Sequence, residues 1–376
     1  MLSMNIKTIT CHHVYNYGAT LQAYALQEYL ESIGHDVEII DYRLPSQTRY
    51  QLFTPYPEGK TYEIIKKFPW LRYILCPYRN RKMLCTWGRK KSFDKFDAEH
   101  LKITSVTYHN IDEIRKNPPA ADIYIAGSDQ IWNTDSANGI DFGYYLDFGN
   151  KKIRRISYAA SFGVNNIKND LKNFVTNELR KFDKISVRET TGLKILNELG
   201  LNGTLVVDPV FLLSKEQWIT SFNLKSNNVE KYILLYDFLH DDKNLKNFAK
   251  SLSRQTGLRL LSVNDISKAS YADIQINNAG PTDFLQYILN AEYIISNSFH
   301  ATAFSIIFRK EFVTFSLISQ NNSSRMSDLL EDLKLTERLC PQRINVLNNL
   351  VNWDKVENCL SQKIIHSKKF LESSIY

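Results

Sequence analysis

IKTITCHHVYNYGATLQAYALQEYLESIG, residues 6–34, decides the fold class. Ile6 to Thr10 is an apolar run of strand length, a polar loop follows, and Leu21, Ala25, Leu26 and Tyr29 then recur at helical spacing. A strand that passes through a short loop into a helix is the repeating unit of an open α/β sheet. In such sheets ligands bind outside the carboxyl ends of the strands, where the first peptide N–H groups of the next helix meet an anion. Asn16 and Gly18 occupy this elbow and are expected to contact a ligand, although a glycine there also suits a plain turn. The glycine fingerprint of a dinucleotide fold is absent.

The rest of the chain sets bounds on this reading. At 376 residues it exceeds one ordinary core, so two α/β domains are expected, residues 1–190 and residues 191–376. A hydrophobic share of 43% and a charged share of 23% exclude extended disorder. The net charge of +7 suits an anionic small substrate or an acidic lipid surface, and without a recognition module it does not indicate nucleic acid. Five cysteines, scattered and without CxxC or zinc spacing, predict a reduced, cytoplasmic protein with no metal site. Cys11, His12, His13 and Asn16 interrupt the first apolar run too early for a signal peptide, and no apolar segment has bilayer length.

Strands are predicted at 36–41, 121–126, 155–160 and 184–187 in the first half. In the second half they are predicted at 232–236, 258–263, 293–296 and 312–315, with helices at 242–255, 282–289 and 301–308 between them. Residues 45–100 form an insertion in which Lys66, Lys67, Arg72, Arg79, Arg81, Lys82, Arg89, Lys90 and Lys91 interleave with Phe68, Trp70, Tyr73 and Trp87. It is expected over the active-site face, as a solvated helical excursion with some buried aromatics or as a dock for phosphate or lipid. A terminal surface helix is expected after Trp353.

Three residues at strand ends stand out. Arg188 directly follows KISV, a place that favours bidentate recognition of carboxylate or phosphate, the alternative being an ion pair with Glu189 or Asp208. In EYIISNSFHATAFSIIF, Asn297, Ser298 and His300 stand between a buried strand and an apolar helix. There the helix dipole favours an anion and the imidazole can exchange a proton near neutral pH. A purely capping histidine is disfavoured because Ser296 and Ser298 are better caps. In AGSDQIWN, Asp129 is placed to accept a sugar hydroxyl's proton, with Ser128 and Gln130 beside it and Trp132 as a stacking surface; alternatively Asp129 caps its own loop.

Six segments, NYGATLQAYAL, AGSDQIWN, SYAASFG, ISVRE, VVDPVFLL and SNSFHATAFSIIF, occur in this order over most of the chain. Together they resemble the polysaccharide pyruvyl transferase family. The resemblance implies two Rossmann-like domains facing a cleft, as in the GT-B architecture. It implies transfer of the enolpyruvyl unit of phosphoenolpyruvate to a sugar of a lipid- or nucleotide-linked saccharide, with a pyruvate ketal formed, phosphate released and no cofactor beyond that co-substrate. His300 would be the acid, Asp129 a second catalytic residue, and Arg188, Asn297 and Ser298 the donor-binding set. The expected location is the cytoplasm, with peripheral contact to the inner face of the membrane left open. Many relatives have Arg-Leu-His where this chain has Ser298, Phe299 and His300, so the second donor-binding arginine is missing from that position. A GT-B glycosyltransferase and a catalytically silent saccharide-binding protein are the alternatives.

Overall fold

The computed structural model describes residues 3–44, 60–79, 86–226, 230–238, 242–265, 268–316 and 324–376. The first sheet has five parallel strands, β1 (Asn5–Ile9), β2 (Asp36–Tyr42), β3 (Ile103–Tyr108), β4 (Ile123–Ala126) and β5 (Arg154–Ser157), in the order β3-β2-β1-β4-β5. Ile6 of β1 lies opposite Val37 on one side and Ile123 on the other. Every residue of β4 is buried, as expected of a central parallel strand covered on both faces.

Two short strands, β6 (Ser186–Val187) and β7 (Thr204–Leu205), pair with each other, and bridges Ile156–Lys184 and Ala160–Val187 carry them along the β5 edge. The division expected at residue 190 falls between this pair. The second sheet repeats the first: β8 (Tyr232–Tyr236), β9 (Arg259–Val263), β10 (Ile274–Ile276), β11 (Tyr293–Ser296) and β12 (Glu311–Thr314), all parallel, in the order β10-β9-β8-β11-β12. Each sheet therefore has a point where the strand order reverses, β1/β4 in one and β8/β11 in the other, and such a point is where open α/β sheets receive ligands.

The helix Tyr17–Ser32 joins the two halves. Asn16 caps it, its Oδ1 accepting the Ala19 N–H at 3.2 Å. One face covers the first sheet; at its start the Tyr17 ring stacks on Phe284 at 4.4 Å, and the Tyr17 hydroxyl donates to the Ala279 carbonyl at 3.0 Å. A single apolar core thus runs from Ile6 through Tyr17 and Leu21 to Phe284 and Phe304.

The insertion departs from expectation. Residues 45–59 and 80–85, including Arg81 and Lys82, lie outside the described residues. The helix Trp87–His100 buries aromatic residues, Phe93 and Phe96, as expected, and the departure is that it buries the charged Arg89 and Asp97 as well. The Arg89 guanidinium lies 4.8 Å from the Tyr17 ring and 4.6 Å from the Phe93 ring, and it pairs with Asp265 of the second half at 3.2 Å. Burial opposes its charge, and Tyr17 and Asp265 more than restore it.

The C-terminal helix Trp353–Ile375 is also more than a surface element. It buries Val356, Leu360 and Leu371 and returns to the first half, where Tyr29 donates to Glu372 at 2.6 Å; on the way Ser367 Oγ accepts the N–H of Val207, just after β7, at 2.9 Å. Among the described residues no helix is long and apolar enough to cross a membrane.

Candidate functional site

The loops that leave β1, β4 and β6 in the first half and β11 in the second converge on one cluster. Tyr15 after β1 and Asp129 after β4 both have left-handed backbone, φ 52° and 77°. Non-glycine residues hold that conformation only where the surroundings over-determine it, commonly around binding sites. After β6, Arg188 points back across the sheet end. Its Nη1 donates to Asp208 Oδ2 at 2.6 Å and to Ser128 Oγ at 3.2 Å, while Nη2 donates to Asp129 Oδ1 at 3.2 Å.

His300 arrives from the second half on the helix Phe299–Ile307, which Ser298 caps. Its Nε2 lies 3.5 Å from Asp208 Oδ2, and the imidazole packs directly over Gly18 at the start of the Tyr17 helix. Two helix N-termini, one from each sheet, therefore flank the ring. Gly18 serves this close approach and is not a turn glycine, since a Cβ there would stand 1.9 Å from His300 Nδ1.

Asp208 is the hub. Its side chain is wholly buried, its Oδ1 accepts the Val210 N–H at 3.1 Å, and its Oδ2 faces Arg188, Ser128 and His300. Burial alone would raise its pKa, but His300 and Arg188 outweigh burial and hold it below the ordinary carboxylate value. Burial also works against the Arg188 charge, and Asp208, Asp129 and Glu189 together raise its pKa. Glu189 accepts the Phe162 N–H at 2.9 Å; burial raises its pKa against the pull of Arg188 and Arg325. Solvent reaches the cluster through Asp129, whose side chain is 20% exposed, and His300, at 10%.

Arg188, Asp129, Ser128, Gly18, Ser298 and His300 are thus brought together, with corrections to several expected roles. Trp132 is no stacking platform for a sugar: it is fully buried, lies parallel to the Tyr145 ring, and donates its indole N–H to the Tyr144 carbonyl at 3.1 Å. Ser128 is also fully buried and bridges Arg188 to Asp208, so it meets no acceptor directly. Asn297 is committed elsewhere: its amide donates to Asp237 at 2.6 Å and accepts the Phe238 N–H at 3.1 Å, tying β11 to the end of β8. Asn16 spends its carbonyl on the helix cap, and Gln130 Oε1 accepts from Asn133 at 2.7 Å.

Sequence reasoning weighed Asp208 only as an ion-pair partner. The signal was available, because Asp208 ends an apolar run just as Arg188 does. Among the described residues no group of three or more His, Cys, Asp and Glu side chains is placed to hold a metal ion.

A family model described as polysaccharide pyruvyl transferase matches residues 16–319. No protein of curated function matches the chain. Among solved structures, an alpha-glucosyltransferase in complex with UDP and a 13-mer DNA is 10% identical over 100% of both chains, with a TM-score of 0.51. The S. aureus MnaA–UDP complex is 11% identical, over 96% of this chain and 91% of that one, with a TM-score of 0.47. The glycosyltransferase SnogD from Streptomyces nogalater is 9% identical, over 99% of this chain and 100% of that one, with a TM-score of 0.45. What is shared is the fold: two Rossmann-like domains facing a cleft, in the GT-B manner.

Proposed function

This chain belongs to the polysaccharide pyruvyl transferase family, and from that premise we propose that it moves the enolpyruvyl unit of phosphoenolpyruvate onto a sugar of a lipid- or nucleotide-linked saccharide in surface-polysaccharide assembly. The observation that carries the reading is the meeting of His300 from one sheet with Arg188 and Asp208 from the other, at the carboxyl ends of both. Phosphoenolpyruvate is an enol ester of phosphate with an adjacent carboxylate. It must be held by cations and protonated on its methylene carbon.

His300 as imidazolium, oriented by Asp208, donates that proton. The carbon bearing the phosphate then becomes oxocarbenium-like and is attacked by a sugar hydroxyl. A second hydroxyl closes the ketal as the carbon–oxygen bond to phosphate breaks, releasing inorganic phosphate. Arg188 and the two helix N-termini stabilise the donor's negative charge. Asp129, the most exposed carboxylate of the cluster, accepts the attacking hydroxyl's proton.

The deciding experiment incubates the protein with phosphoenolpyruvate and candidate lipid- or nucleotide-linked saccharides, following phosphate release and product mass. The expected product gains pyruvate less water, and His300→Ala abolishes its formation. A product heavier by a sugar unit, with nucleotide released, would make the protein a glycosyltransferase instead.

The acceptor's lipid end has a surface suited to it. Phe68, Trp70, Tyr73 and Ile74 each expose more than half of their surface, next to exposed Lys66, Lys67 and Arg72. Aromatic side chains with a basic fringe suit an anionic membrane interface, where each cation contributes about 1 kcal/mol. Replacing Lys66, Lys67 and Arg72 together by Gln should reduce sedimentation with phosphatidylserine-containing vesicles and leave neutral vesicles unaffected. Equal binding of the variant and the wild type to the anionic vesicles would remove the membrane from the proposal.

A further inference from the structure

One basic side chain beside the cluster lies outside every role above. Phe299 precedes His300 and has two guanidinium groups near its ring, Arg188 at 5.3 Å and Arg325 at 5.9 Å from the centroid. Arg325 belongs to the helix Ser324–Asp332 and lines a cavity of about 240 Å³ together with Arg188, Asp208 and Phe299. This is smaller than the roughly 300–1,000 Å³ of pockets for drug-sized ligands and suits a small anion better than a saccharide.

The neighbouring charges in that cavity are largely spoken for. Lys363 pairs with Asp332 at 2.7 Å, Asp328 accepts the Thr190 N–H at 2.9 Å, and Asp208 is held by Arg188. The buried Nε of Arg325, by contrast, has no hydrogen-bond partner among the described residues, and neither does that of Arg188. Burial first, and then Arg188, lower the Arg325 pKa to about 10, so it remains a cation at neutral pH. Two cations therefore share the cavity, each with an Nε hydrogen unmet; Glu189, Asp129 and Asp208 offset part of their charge, and an entering phosphate would supply acceptors for the open donors.

We propose that Arg325 is the second cation of the donor site and binds the phosphate of phosphoenolpyruvate in the cavity it shares with Arg188. This rests on the pyruvyl transfer reading and identifies which residue takes the place left open by Ser298. Phosphate is the better match of the donor's two anionic groups because it brings about two negative charges against the carboxylate's one. Arg325 is then a binding residue, and its effect belongs in the donor KM.

The test measures binding of phosphoenolpyruvate, inorganic phosphate and pyruvate by calorimetry to the wild type, Arg325→Gln and Arg325→Lys. For Arg325→Gln, phosphoenolpyruvate and phosphate affinity should fall by about 10- to 100-fold, the loss of one charge-assisted hydrogen-bond pair. Pyruvate binding should stay as it was. Arg325→Lys should fall between, with a raised donor KM and a nearly unchanged kcat. The ligand-free melting temperature of Arg325→Gln should stay close to that of the wild type, since losing a buried like charge beside Arg188 offsets the lost attraction to Glu189.

If Arg325→Gln does not fold, Arg325→Lys carries the same comparison with charge retained. Equal phosphoenolpyruvate affinity in the wild type and the variants would overturn the role of Arg325 and leave the transferase reading standing. A loss for pyruvate alone would overturn the assignment to phosphate. A wild type that binds neither phosphoenolpyruvate nor phosphate would sink the donor reading itself.

Discussion

Gly18→Ala is expected to remove turnover while leaving the protein folded. Gly18 lies inside the helix Tyr17–Ser32, with no left-handed backbone to protect, so by propensity alone alanine would favour the helix by about 1 kcal/mol. Its new methyl group, however, would lie 1.9 Å from His300 Nδ1, 2.3 Å from Cγ and 2.6 Å from Cε1. The imidazole must move, and with it the distance to Asp208 that orients it. Displacing a general acid costs roughly 10²–10⁴-fold in rate. Phosphate release with phosphoenolpyruvate and acceptor should fall accordingly, with an unchanged circular dichroism spectrum. Because the obstacle is the ring itself, adding Gly18→Ala to His300→Ala should cost almost nothing more. A Gly18→Ala enzyme with wild-type kcat would show that His300 does its work from a different position or not at all.

Arg89→Ala should destabilise the protein by about 3–5 kcal/mol, the usual result of removing one partner from a buried ion pair. The guanidinium is fully buried against the Tyr17 and Phe93 rings, and its charge partner Asp265 follows a strand of the other sheet. Its loss removes two cation–π contacts and the Arg89 ion pair of Asp265 at the seam. Urea unfolding would show the shift in midpoint, and a double-mutant cycle with Asp265→Ala should return a coupling energy above the additive limit of about 0.5 kcal/mol. A midpoint within 1 kcal/mol of wild type would mean that the seam is held by apolar packing alone.

Strands were legible in the sequence where they are buried on both faces. IYIA of β4 and YILLY of β8 are runs of apolar residues that nothing else explains. β3, ITSVTY, could not be read this way, because it is an edge strand that exposes Ser105, Val106 and Thr107. The partly exposed strands β7 and β10 are two and three residues long and leave no pattern to detect.

The same logic separates the site residues. Arg188, Asp129 and His300 each follow a buried strand, so topology alone brings them to the sheet ends. Arg325 does not: QNNSS before it is a polar run with no strand pattern, and only the approach of its side chain to Phe299 places it beside the cluster. Trp132 misled for a related reason. A tryptophan in a strand-end loop resembles a sugar platform until the loop is seen folded inward against Tyr145. Arg89 misled in the opposite sense, since a guanidinium in a basic run gives no sign that two aromatic rings and a carboxylate await it.

The single interior shared by the two sheets has a bearing on how such a protein can be recombined. Tyr17 is contributed by the first half, yet its ring and hydroxyl are satisfied by Phe284, Tyr236 and Ala279 of the second. A chimera that exchanged one half for that of a distant relative would inherit half of a lock. Exchange of whole halves must therefore carry the seam residues with it.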